Sequence, residues 1–91
     1  MESKNFLKGK AIVVADRGFV YIGDVAYDDR FCIIENAGNI RRWGTTKGLG
    51  ELAQEGPKEN TVIDKVGTVR IPARAVISLI DTEAALWPPL K

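Results

Sequence analysis

One stretch of the chain, Asn39-Ile40-Arg41-Arg42-Trp43-Gly44-Thr45-Thr46-Lys47-Gly48-Leu49-Gly50-Glu51-Leu52, gathers cations, an indole, hydroxyls and glycines more densely than any other. Arg41, Arg42 and Lys47 are suited to anions, and a guanidinium presents a planar fork of donors that fits phosphate oxygens. Trp43 offers a flat apolar face for stacking. Thr45 and Thr46 add hydroxyls, and the glycines let backbone N–H groups come close to a ligand. The chemistry this implies is capture of a compact phosphate-bearing anion. Arg41, Arg42, Trp43, Gly44, Thr45, Thr46, Lys47 and Gly48 are its candidate ligand-binding residues. A strand end, a turn and a helix start would use the same composition, so two readings stay open. The segment lacks the glycine spacing of a Walker sequence. A glycine-rich lead into a helix with three cations nearby still fits an anion site.

Other chemistry is thinly supplied. The chain has no histidine, which removes the usual general base and the commonest metal ligand. With a single cysteine, Cys32, a zinc site or a Cys-His nucleophile is effectively excluded. We expect no catalytic residues, no metal and no cofactor. Asp24, Asp28, Asp29 and Glu35 read more simply as turn formers than as cation ligands, because Asp bonds its own backbone in turns. Cys32 sits in an apolar run and reads as a small hydrophobe in a reducing compartment. Tyr21, Arg70 and Arg74 are secondary candidates, Tyr21 for stacking and the arginines for ion pairs or a shared pore.

The elements that position these residues follow from a chain of 91 residues, 45% hydrophobic and 27% charged. That suits one domain spanning residues 1–91 with a modest core to which self-association can add. The net charge of +1 argues against a protein that coats duplex DNA. No apolar run approaches the roughly 18 residues of a membrane span, and no signal core is visible. The expected location is cytoplasmic.

In chain order, residues 1–9 read as an arm or a helical turn, and Ala11–Ala15 as a β-branched strand. Asp16-Arg17-Gly18 turns, Phe19–Ile22 resumes the strand, and Gly23 marks a bulge or bend. Phe31–Ile34 reads as a third strand, Glu35–Asn39 as a hairpin turn, and Ile40–Trp43 as a fourth strand. Lys47–Gln54 has helical spacing, with Gly48 as N-cap and Gly56-Pro57 as stop. Thr61–Asp64 and Thr68–Ile71 read as strands separated by a Lys65-Val66-Gly67 turn. Ala75–Ile80 suits an interior or intersubunit strand, and residues 83–91 form an apolar tail around Trp87. Five to seven short strands and one short helix imply a mainly β fold, a small barrel.

Ala11–Asn36 resembles the first motif of the Sm-like family, through Val13-Val14, Asp16-Arg17-Gly18, Gly23-Asp24-Val25, Asp28-Asp29 and Phe31–Ile34. Val69-Arg70-Ile71-Pro72 and Ala75–Ile80 are similar to its second motif, and an SH3-like barrel has the same pattern. The resemblance covers about half the chain and implies a small barrel and a ring-like homo-oligomer. The family's nucleotide-contacting asparagine is replaced by Cys32, and Ile71-Pro72 stands where its glycine follows the arginine. Separately, Ile40–Leu52 resembles a stretch in small phage and prophage proteins, which implies a viral role in a host cytoplasm.

The leading functional expectation is a non-enzymatic, homo-oligomeric phage protein that sequesters a signalling nucleotide as a counter-defence sponge. One alternative is a ring that binds single-stranded nucleic acid by stacking and a basic groove. Another is a structural adaptor of a virion or host complex, docking through the tail around Trp87.

Overall fold

The computed structural model describes residues 5–83, 86 and 87, with side chains from Lys10 onward. Five strands form one antiparallel sheet: β1 (Asn5–Ala15), β2 (Val20–Tyr27), β3 (Phe31–Arg42), β4 (Val62–Pro72) and β5 (Val76–Asp81). Among the described residues one α-helix, α1 (Leu49–Glu55), lies between β3 and β4. The spatial order β4-β3-β2-β1-β5 leaves β4 and β5 as edges. The fold is therefore mainly β, with an open sheet that backbone hydrogen bonds do not close into a barrel.

Strand alternation makes this sheet two-sided. Along β1, Ala11, Val13 and Ala15 join one buried cluster with Val25, Cys32, Ile34, Ala37 and Ile71. The intervening Ile12 joins the other, with Val20, Ile22, Ile40, Leu52, Ala53 and Trp87. The first cluster is also packed by Val76 and Leu79 of β5 and Val69 of β4, so both edge strands reach one core. The sheet curls to allow this. The Ala73 N–H donates to the Arg30 carbonyl at 2.8 Å, after which β5 runs back along β1 with Val76 opposite Ala15.

The second cluster is roofed by α1. Leu52 and Ala53 are fully buried, while Gly48 and Gly56 cap the helix at φ 81° and φ 82°. Both glycines stand where the sequence places them, because only glycine takes that backbone cheaply. Trp87 is buried here, and its indole N–H donates to the Ala53 carbonyl at 3.2 Å. The indole at the heart of the apolar tail thus packs inward; residues 84–85 and 88–91 of that tail lie outside the described residues.

Three local expectations need correction. Glu35–Asn39 is not a hairpin turn, and Phe31–Arg42 is one strand rather than two. Asn36 adopts φ 52°, and β3 shifts register against β2 opposite Ile22–Asp24 and against β4 on both sides of Ala37. The small polar residues make a bulge in a strand paired on both sides. At that bulge the strands nearly touch: a Cβ on Gly23 would lie 2.6 Å from Ile34 Cγ2 and 2.8 Å from the Glu35 carbonyl.

Lys65-Val66-Gly67 is likewise no turn. It is an irregular step inside β4, where Gly67 (φ 83°) faces Ala37 and Lys65 faces Gly38. Finally, from Asn5 the chain is already strand, so no helical turn forms there; residues 1–4 lie outside the described residues.

Candidate functional site

The end of β3 delivers the arginine-tryptophan stretch to one end of the sheet. Ile40 is buried beneath α1, whereas Arg41, Arg42 and Trp43 are exposed. The ladder of β3 with β4 shifts register between Ile40 and Arg42. Arg41 through Thr45 then line an open depression of about 460 Å³, together with Ile40 and with Gly18 and Val20.

The two arginines differ. The Arg41 guanidinium donates through Nη1 to Asp64 Oδ2 at 2.9 Å, a solvent-exposed ion pair. Such pairs contribute little to stability and orient more than they hold. Among the described residues Arg42 makes no ion pair or side-chain hydrogen bond, and its guanidinium keeps its donor set open. Next to it Trp43 leaves 42% of its surface exposed.

Trp43 and Gly44 are fixed by the chain that leads into β4. Thr61 Oγ1 donates to the Trp43 carbonyl at 2.6 Å and accepts from the Lys58 N–H at 2.8 Å. Gly44 sits at φ 70°, where a Cβ would come within 2.5 Å of the Asn60 carbonyl carbon. Glycine is required here twice over, by backbone conformation and by space.

Beyond Thr45 the polar groups turn toward the helix. Thr45 Oγ1 donates to the Gly48 carbonyl at 2.7 Å. Glu51 Oε1 accepts from the Lys47 N–H at 2.8 Å and from the Thr46 hydroxyl at 3.3 Å. The carboxylate therefore occupies the approach to the first turn, close to a capping box. The Glu55 carboxyl is held below the usual range by the Lys58 hydrogen bond and charge, with Lys47 adding to the effect. Lys47 serves the helix start through its backbone N–H, while its ammonium makes no ion pair among the described residues. Of the eight residues expected to bind a ligand, Arg41–Thr45 share the depression, while Thr46, Lys47 and Gly48 build the helix start.

The secondary candidates lie elsewhere. Tyr21 stacks on Phe19 with ring centroids 6.4 Å apart, packing against the cluster on the opposite face from Ile40. Arg70 pairs in the ladder with Ile33, far along β4 from Val62, which faces Arg42. Arg74 lines a separate hollow with Arg30 and Phe31.

Asp28 caps its own turn, accepting from the N–H groups of Arg30 and Phe31 at 2.8 and 2.9 Å. Among the described residues no three His, Cys, Asp or Glu side chains come together as a metal site. Cys32 is buried, and that burial pushes its thiol above the ordinary range.

Sequence reasoning missed Gly18 and Val20 as walls of the depression, and Thr61 as the clamp on Trp43. No local pattern links them to residues 41–45; only the β1–β2 turn and the return from α1 bring them there. The fold and site together define an antiparallel open-sheet protein with an arginine-tryptophan depression at one end. Comparison with protein-family models, with characterised proteins and with solved structures gives no match.

Proposed function

We propose that this chain is a non-enzymatic binding protein that captures a small phosphate-bearing ligand, such as a signalling nucleotide, in the depression formed by Arg41–Thr45. One observation carries the reading. The guanidinium of Arg42, without an ion pair among the described residues, and the half-exposed ring of Trp43 line the same depression, next to a backbone that Gly44 lets pack closely on Asn60. Arg42 would take phosphate oxygens in a bidentate bond, and Trp43 would stack on the base. Arg41 would add charge while remaining tied to Asp64. The Thr45 hydroxyl already donates to the Gly48 carbonyl, so it would serve the ligand as an acceptor.

The curled sheet functions in this reading as a small barrel closed by side-chain packing, and the protein as a homo-oligomer. In a phage setting, such capture would remove a host signal nucleotide from circulation. The composition supports binding over hydrolysis, since the chain has no histidine to act as general base. Isothermal titration against mono-, di- and cyclic nucleotides tests the proposal. Saturable binding of at least one compound is expected; silence across the panel overturns it.

A further inference from the structure

The two edges of the sheet are protected very differently. β4 carries Lys65, the irregular step at Val66-Gly67 and a terminal Pro72, three devices that discourage an edge from pairing with another chain. β5 reads Val-Ile-Ser-Leu-Ile-Asp, without lysine, proline or glycine. It pairs with β1 on one side only. Ile77, at the irregularity opposite Val14-Ala15, is 67% exposed, more than any other large apolar residue described.

Charges bracket this bare edge. Arg74 stands just before the strand and Asp81 closes it; both are exposed and neither forms an ion pair among the described residues. Antiparallel pairing of β5 with a second copy of itself reverses one strand against the other. The start of each strand then meets the end of its mate, and each Arg74 reaches Asp81 of the partner subunit.

We infer that the protein forms a twofold dimer through β5, joining two sheets edge to edge, with Ile77 covered and two reciprocal Arg74–Asp81 pairs at the ends. A twofold contact of one patch with itself closes the assembly and leaves no further sticky edge, which suits the protection built into β4. The inference extends the homo-oligomer part of the reading above and is independent of the ligand. A dimer that binds no nucleotide would overturn only the capture proposal.

Sedimentation equilibrium on the full chain, at concentrations on the order of 10–100 µM, tests it, with circular dichroism to confirm folding of each variant. A mass about twice the 10.0 kDa of the chain is expected. Ile77→Lys, Arg74→Asp and Asp81→Arg should each weaken dimerisation about tenfold or more, since each sets like charge or a lone charge in the contact. The double swap of Arg74→Asp with Asp81→Arg should restore most of the loss, and Val66→Lys on the other edge should change nothing. A monomeric wild type, dissociation by Val66→Lys in place of Ile77→Lys, or a double swap no better than the single ones would overturn the proposal.

Discussion

Residues 35–39 in the middle of β3 and residues 44–48 just beyond its end are built from similar materials, small and polar around glycine, yet they end up in opposite roles. The first has a strand on each side. Its backbone groups pair with β2 and β4, and the extra residue is absorbed as a bulge around Asn36 and Ala37. The second has left the sheet. Thr61 holds the carbonyl of Trp43 at its entrance, and polar groups within it bond to the Thr45 hydroxyl and the Glu51 carboxylate. Flanking strands turn such a segment into scaffold. Without them it becomes a loop whose side chains can face a ligand.

Substitutions sharpen this contrast, beginning with the roof that holds the loop in place. Leu52→Ala removes a fully buried side chain beneath α1 and should cost about 2–5 kcal/mol in urea denaturation. Because α1 follows the loop directly, the depression should loosen as well, which faster amide exchange at Trp43–Thr45 would report.

Gly23→Ala acts on the scaffold region alone. Its methyl would meet Ile34 and the Glu35 carbonyl well inside contact distance, so a loss of about 1–3 kcal/mol is expected. A neutral result would mean that the bulge is more yielding than its geometry implies.

Thr61→Val touches only the loop. It deletes the hydrogen bond to the Trp43 carbonyl and leaves the Lys58 N–H without its acceptor, a loss of about 1 kcal/mol. Faster amide exchange near Trp43, with none near Asn36, would bear out the independence of the two regions.

The smallest effect concerns Cys32. Burial raises its thiol, so the folded chain holds the proton more tightly than the unfolded chain does. Stability from this source is complete at neutral pH and declines as pH rises past the ordinary thiol value of about 9.0. Cys32→Ala should flatten that alkaline decline in a series of denaturation curves.

Much of the fold was legible because apolar alternation and glycine caps act locally. β2 and β5 sit near their expected places, β1 ends where expected but begins at Asn5 in place of Ala11, and α1 lies between the very glycines named as its limits. The bulges were not legible. A turn at Glu35–Asn39 and a bulge there use the same residues, and only pairing with two distant strands decides between them. The curl that brings Val76 of β5 to a core shared with Ile71 of β4 is similarly nonlocal.

At the candidate site, the run Arg41–Gly48 was singled out by residue type alone. What could not be read was the division of labour within it. Glu51 reaches back to the Lys47 backbone N–H and the Thr46 hydroxyl, and so ties both groups to the helix start. Asp64 claims Arg41 from the neighbouring strand β4, and Arg42 is left without an ion pair among the described residues.

That division is the sharpest point of the account. Arg42→Ala and Lys47→Ala each remove one exposed cation a few residues apart, with little effect on folding expected. Their dissociation constants should be compared for the tightest nucleotide found in the titration panel. The account predicts that Arg42→Ala weakens binding by about tenfold or more, the loss of a charge-assisted bond, while Lys47→Ala stays within about threefold. Equal losses, or a larger one for Lys47→Ala, would place the ligand at the helix start and contradict the assignment to the Arg41–Thr45 depression.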